Sequence, residues 1–338
     1  MATIDVDIRV PLGRPLPELT DFVRRCEQAG FHGVGIHDHH HIGRDVYIAL
    51  ALAASNTDRV LLYPATTNAM TRHPLVLAAL VQSLSEIAPE RVMLTLAPGF
   101  LSVEKAGSPR ATREHLAGVV TAIRRLLAGE EVELGQRRQP VSLRNVPAVA
   151  PRVMVLASGP KLLELAGEVA DGVLMMVGLD PGSVAAARKH LHAGAARAGR
   201  DPADLEEIFI VSIAVGDRAS ATVWPRTWFR SGQPWLAYPS RSNLRWLAEA
   251  GVDLPDSADP GGISPALAER ICDILGAFGP PEYCADRLLR AADEVDARHV
   301  FLFPAHSADT AYNLPEAELE AFATEIGPRI AANAGRSS

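Results

Sequence analysis

Gly33-Val-Gly-Ile-His-Asp-His-His-His41 is an apolar run of strand character that ends abruptly in four imidazoles and a carboxylate. A core strand that finishes this way opens onto chemistry at its C-terminal end. The run follows Pro15–Gly30, which reads as a helix closed by a glycine. Before that, Ile4–Val10 alternates like a strand. Strand, helix, then strand with reactive groups just past its end is the repeating pattern of a barrel enzyme.

The pattern continues along the chain. Strands are predicted at Arg59–Ala65, Arg91–Ala97, Arg152–Ala157, Gly172–Val177, Glu207–Val215 and His299–Phe303. Helices are predicted at Asp45–Ser55, Pro74–Ala88, Thr112–Ala128, Lys161–Ala170, Ser183–Ala198, Pro281–Val295 and Pro315–Ile330. Gly129–Ala150 reads as an irregular hairpin excursion after the fourth strand. The stretch 217–280 is too long for a plain connection, and it carries Trp224, Trp228, Trp235 and Tyr238. It is expected to hold the seventh helix and an inserted helical lid. These aromatic groups either stack on a substrate or form a small helical subcore. Eight strand–helix units predict a (β/α)8 TIM barrel, a single domain over residues 1–338 with insertions after strands four and seven. A doubly wound sheet fits less well, because no G-x-G-x-x-G follows the first strand.

Composition agrees with an enzyme of this size. The chain has 338 residues, 48% of them hydrophobic and 22% charged, enough for a large core. Net charge is −7 and no basic run exists, so no nucleic-acid partner is expected. No apolar stretch reaches the roughly 20 residues of a membrane span. Met1–Asp7 carries acids where a secretion signal needs a positive start. Cys26, Cys272 and Cys284 are few and far apart, against a disulfide framework. A cytoplasmic enzyme acting on a small molecule is expected, with no membrane partner.

The histidine cluster admits two readings. Residues two apart on a strand share a face, so His37, His39 and His41 can point together and hold a metal. A catalytic metal site on a barrel needs further ligands at later strand ends. The fifth and sixth strands instead end Ala157-Ser-Gly-Pro160 and Val177-Gly-Leu179, with none. His190 and His192 fall within a helix, and His299 precedes the eighth strand. No metal is therefore expected. The stronger reading is proton transfer by Asp38-His39, since an imidazole can give or take a proton near neutral pH.

A second group of signals lies after the later strands. Thr66, Thr67 and Asn68 follow the third strand, with Thr71 suited to cap the next helix. Pro98-Gly99-Phe100 follows the fourth, where glycine permits close approach of a ligand. Ser158-Gly159-Pro160-Lys161 leads into a helix whose exposed N–H groups form an anion subsite, with Lys161 adding charge. Gly178 ends a neighbouring strand.

Here the chain resembles a known family. Asp38-His39 is similar to the D-H of the luciferase-like flavin and deazaflavin enzymes. Arg44-Asp45-Val46-Tyr47 followed by Thr57-Asp-Arg-Val60 resembles their next helix and strand. Thr67-Asn68 with Thr71-Arg-His-Pro74 resembles the T-N-P-x-T-R-H-P signature of the methylenetetrahydromethanopterin reductase branch. Gly159-Pro-Lys161 with Glu164 to Gly172 is similar to that branch's phosphate-binding segment. The resemblance covers roughly residues 1–180. It implies a TIM barrel, often dimeric, holding coenzyme F420 or FMN at the C-terminal face. It implies a non-prolyl cis peptide at Ala65-Thr66 against the ring, with Asp38 and Thr66 close to the ring and His39 close to its reactive C5. Thr67, Asn68, Gly99, Ser158, Gly159, Lys161, Val177 and Gly178 would complete the cofactor site. Two departures stand out: Phe100 occupies the place of the family's acid, leaving Glu104 as the nearest carboxylate, and Ala69 replaces a proline.

The expectation is an oxidoreductase transferring a hydride between coenzyme F420 and a C=C, C=N or C=O/C–OH centre. An FMN-dependent monooxygenase is the alternative. A metal-dependent hydrolase and a non-catalytic ligand-binding barrel fit less well. A homodimer is consistent with the resemblance.

Overall fold

The first strand already sorts the molecule into an inside and an outside. Val6, Ile8 and Val10 join the core beneath the helices, while Asp7 and Arg9 point into the barrel. The same period runs around the ring. Leu61, Tyr63, Met93, Met154, Leu174, Ile208, Ile210 and Phe301 fill the interior as one apolar cluster. A second, larger cluster packs strands against helices. Burying each large apolar side chain contributes roughly 1.5–3 kcal/mol, which favours this register over a one-residue slip.

In this computed structural model, residues 4–135, 138–228, 240–255, 259–307 and 309–335 are described. The elements run β1 (Asp5–Val10), α1 (Leu16–Ala29), β2 (Gly33–Ile36), α2 (Val46–Ser55), β3 (Leu61–Pro64), β4 (Thr67–Asn68), α3 (Pro74–Ile87), β5 (Met93–Ala97), α4 (Leu101–Lys105), α5 (Arg113–Leu127), β6 (Val132–Leu134) and β7 (Gln139–Val141). They continue with β8 (Arg152–Ala157), α6 (Pro160–Val169), β9 (Gly172–Met175), α7 (Pro181–Arg197), β10 (Glu206–Val215), α8 (Arg218–Ala221), α9 (Trp224–Trp228), α10 (Arg241–Glu249), α11 (Pro265–Leu275), β11 (Gly276–Gly279), α12 (Pro281–Val295), β12 (His299–Pro304), α13 (Glu316–Ala321) and α14 (Gly327–Gly335).

The parallel sheet runs β3-β2-β1-β12-β10-β9-β8-β5-β4, and a bridge from Leu62 to Val92 joins its two ends into a barrel. β3 and β4 are halves of one barrel strand, separated by a cis peptide between Ala65 and Thr66. β3 pairs with β2, and β4 with β5. Counting that split strand once, and β11 as an extension beside β10, the ring has eight positions, a TIM barrel. The hairpin β6–β7 stands apart from it.

Local sequence explains most boundaries. Asp45 caps α2 by accepting from the N–H groups of Tyr47 and Ile48. Gly30 closes α1 with φ 92°. α3 departs from expectation at its start: His73, not Thr71, caps it, accepting from the Leu75 N–H. Thr71 is instead drawn inward to Asn68. The closing helix is broken by a π turn, Phe322–Ile326.

Among its described residues the stretch 217–280 holds helices and one strand, β11, pairing Ser212–Val215 of β10. Trp224 packs with Ile271, Leu247 and Phe278 in a separate small core, its ring 4.8 Å from that of Phe278. This is the subcore alternative. Trp235 and Tyr238 lie outside the described residues, as does the side chain of Trp228. Among the described residues no helix is long and apolar enough to cross a membrane.

Candidate active site

The C-terminal ends of β1, β2, β4 and β12 bring two polar networks together. Asp38, the second residue past β2, is sealed from solvent. Its Oδ2 accepts from the Thr67 hydroxyl at 2.7 Å and from Arg72 Nη1 at 2.6 Å. Arg72 Nη2 donates to Asp45 Oδ2 at 2.7 Å, and its guanidinium lies 4.9 Å over the Tyr47 ring. Asn68 Oδ1 accepts from the N–H groups of Met70 and Thr71 and from the Thr71 hydroxyl. Three atoms are left over, the buried Tyr47 hydroxyl among them. Asp38 Oδ1 and Asn68 Nδ2 are buried without a hydrogen bond, although His40 Nδ1 stands 3.2 Å from the former. An orphan acceptor and an orphan donor beside the Ala65–Thr66 bend fit the polar edge of a flat heterocycle. Gly35 makes room there: a Cβ would stand 2.6 Å from Ala65 Cβ.

The second network is centred on His39. Its Nδ1 lies 3.0 Å from the Tyr312 hydroxyl, which lies 3.0 Å from Nε2 of the exposed His41. The His37 ring is 4.8 Å away and takes a hydrogen bond from Arg9 Nε. Asp38 and His39 hydrogen-bond to different partners, as consecutive residues on opposite sides of an extended segment do. Asp38 therefore does not orient His39; Tyr312 does. Burial, then the neighbouring His41 and Arg9, push His39 down to about 3. Burial and Arg9 push His306 to about 4. His39 is thus neutral at ordinary pH, which corrects the expectation of titration near neutrality. A neutral imidazole passes a proton by taking one at Nδ1 as it gives one from Nε2, and Tyr312 with His41 supplies that exchange.

The expected phosphate end is assembled from distant segments. Gly159 caps α6 without a side chain, and a Cβ there would stand 3.0 Å from Ser242 Oγ at the start of α10. The Ser158 carbonyl accepts from Trp246 Nε1 at 2.8 Å, which fixes α10 to the barrel rim. Gly178 has φ 81°, and a Cβ would meet the Ile274 carbonyl oxygen at 2.4 Å. Gly99 has φ 90° and lies against Val103. Lys161 is exposed, whereas Val177 is fully buried and packs in the core. Thr66 and Ala65 are half-buried at the mouth. A shallow cleft of about 450 Å³ is lined by His40, Met70, Thr71, Arg72, Ala106 and Ser108, and none of the expected cofactor residues lines it. Glu104 is engaged by Arg110, 2.5 Å away, whose guanidinium also covers the exposed Phe100 ring at 4.4 Å.

Sequence reasoning missed Arg9, Arg72, Tyr312, Ser242 and Trp246. Arg72 stood inside the T-R-H-P segment, so its signal was present. Arg9 stood at an inward phase of β1, two residues after Asp7, a charged pair on a face that should be apolar. Tyr312, Ser242 and Trp246 reach the site only through tertiary packing.

Residues 1–298 match the model of the family described as luciferase-like monooxygenase. The chain is 29% identical over 306 residues to the 5,10-methylenetetrahydromethanopterin reductase of Methanolobus tindarius, covering 82% of this chain and 88% of that one. It is 29% identical over 338 residues to the F420-dependent glucose-6-phosphate dehydrogenase of Beutenbergia cavernae, covering 93% and 94%. In fold it is similar to the coenzyme F420-dependent tetrahydromethanopterin reductase of Methanopyrus kandleri, with a TM-score of 0.71, 20% identity, and coverage of 97% and 100%. The chain belongs to the luciferase-like monooxygenase family.

Proposed function

We propose that this member of the luciferase-like family is an oxidoreductase that transfers a hydride between coenzyme F420 and a small organic substrate. The observation that carries the reading is the orphan pair at the mouth, Asp38 Oδ1 and Asn68 Nδ2, beside the bend at Ala65–Thr66. A relative named as an F420-dependent glucose-6-phosphate dehydrogenase and one named as a 5,10-methylenetetrahydromethanopterin reductase, each similar over most of its length, support it.

Asp38, Ala65, Thr66, Thr67 and Asn68 hold the ring edge, with Arg72 fixing Asp38. Gly99, Ser158, Gly159 and Gly178 would shape the channel for the tail, and Lys161 and Ser242 would meet its phosphate; Val177, packed in the core, takes no part. When bound, the deazaflavin supplies or accepts the hydride. His39 moves the accompanying proton: Nε2 gives it to the substrate atom, Nδ1 takes one from the Tyr312 hydroxyl, and Tyr312 takes one from His41. α10, held to the rim by Trp246, would cover the tail end.

The reading includes a homodimer. α2 is apolar all round, and Ile48 and Leu52 with Val76 of α3 are exposed. Sedimentation of the wild type as a dimer and of Leu52→Glu as a monomer is the expected result.

Titration of purified protein with coenzyme F420 and with FMN tests the cofactor. Saturable F420 binding, weakened at least about tenfold in Asp38→Asn, supports the proposal. Submicromolar FMN binding with no F420 affinity would sink it in favour of a monooxygenase.

A further inference from the structure

Arg9 is 4% exposed and comes inward from β1 to the floor of the mouth. Its hydrogen bonds go to neutral acceptors. Nε donates to His37 Nε2, and Nη2 donates to the Ala311 carbonyl at 2.9 Å. Nη1 makes no hydrogen bond among the described residues, yet it is not one of the sealed orphan atoms, so it keeps contact with open space. The Phe303 ring lies 4.6 Å from the guanidinium carbon. Among the described residues no carboxylate pairs with Arg9, and the group that favours its charge is Tyr312. Burial brings Arg9 down to about 9, so it stays cationic at neutral pH.

Other cations of the interior are treated differently. Arg287 is 8% exposed, but Glu294 and Asp273 lie close enough to favour its charge. Arg72 has two carboxylates. A buried guanidinium with no counter-ion is costly, and neutral imidazoles at His37, His39 and His306 bring no negative charge to balance it. The missing charge is one negative unit, in reach of a single planar donor edge and an aromatic wall. A monoanionic carboxylate balances one guanidinium and matches its fork; a phosphate dianion would call for a second cation.

We propose that Arg9 is the anchor for a carboxylate of the substrate, which sets the reacting carbon beside His39. The substrate is then a carboxylic acid whose C=O, C=C or C=N centre stands near that carboxylate. This placement rests on the oxidoreductase reading for the role of His39, but the anion site itself does not.

The test uses protein labelled with ¹⁵N in its histidines, cofactor-free and loaded with F420. Sodium acetate is the probe and acetamide the uncharged control. Saturable shifts of the His37 and His39 imidazoles by acetate in both forms are expected, with none from acetamide. In Arg9→Met the acetate affinity falls at least about tenfold, while unchanged His299 signals show that the barrel is intact. Arg9→Lys, which keeps the charge and loses the fork, falls between. Acetate that moves neither imidazole, or binds Arg9→Met equally well, overturns the proposal. Competition between F420 and acetate overturns it too, by assigning Arg9 to the cofactor. A protein that binds acetate but not F420 refutes the cofactor reading and leaves the anion site standing.

Discussion

Each end of the barrel holds a histidine cluster, and His299 at one end and His39 at the other are held in opposite protonation states. At the N-terminal end His299 lies between two acids, with Nε2 2.8 Å from Asp7 Oδ2 and Nδ1 3.1 Å from Glu206. His32 and the Tyr63 hydroxyl also reach Asp7, at 2.9 and 2.6 Å. Burial alone would discharge His299, but Asp7 and Glu206 outweigh it and raise it to about 10. At the C-terminal end His39 and His306 have Arg9 nearby in place of an acid, and they stay neutral. Asp7 with Glu206 keeps His299 charged, whereas burial, with His41 and Arg9 adding to it, keeps His39 neutral. The lower network is compensated at every charged group. The upper one is short of an anion and keeps orphan polar atoms. Compensation marks the end that stabilises the fold, and its lack marks the end that waits for ligands. Asp7, His32 and His299 have ligand atoms within 4.8 Å of one another, a spacing that suits a metal, yet the carboxylate is already engaged by both imidazoles and by Tyr63.

The sharpest way to break this contrast is to remove the lower acid. Asp7→Asn leaves the buried His299 imidazolium with Glu206 as its one remaining acid, and chemical denaturation should show a loss of roughly 3 kcal/mol. A small loss would mean that the lower network stabilises little. The converse change is His39→Ala. It should lower turnover roughly 10²–10⁴-fold while leaving the denaturation midpoint near that of the wild type. A stability loss as large as that of Asp7→Asn would make the upper cluster structural too.

The two ends also predict opposite pH limbs. His299 is raised from 6.5 to about 10, so its stabilisation is complete below about 6.5 and is lost as pH climbs toward 10. His39 is lowered from 6.5 to about 3, so the unfolded chain takes up a proton first and stability falls as pH drops from 6.5 toward 3. Urea midpoints measured across pH should peak near pH 6.5, where both contributions are complete. His299→Gln should flatten the alkaline limb and His39→Ala the acid limb. Smaller effects follow at the periphery. Tyr312→Phe should cost about tenfold in turnover by cutting the route from His39 to His41. Ser242→Ala should weaken cofactor binding only a few-fold, about one neutral hydrogen bond.

The barrel was legible because each strand carries its own signal. Arg152–Ala157 and Pro281–Val295 could be bounded from local pattern and proline alone. β11 was not, since Gly-Ala-Phe-Gly is short and directly follows a helix. Asp38, Thr67 and Asn68 were readable as polar groups past strand ends, and the bend at Ala65–Thr66 only through family resemblance. Who bonds to whom was not. Chain adjacency suggested an Asp38–His39 pair, but extended backbone sends the two apart. The partner of His39, Tyr312, lies 273 residues away and becomes its neighbour only when β12 closes the ring. Arg9 went unread because its meaning lies in the absence of an acid around it, and that is a property of the folded interior.

The contrast can be read directly from the imidazole nitrogens of ¹⁵N-histidine-labelled protein followed across pH. At about pH 8, His299 should still carry both protons, consistent with a value near 10. At about pH 5, His39 should still be neutral, consistent with a value near 3. A His39 that titrates near 6.5, or a His299 already neutral at pH 7, would contradict the assignment of the two ends.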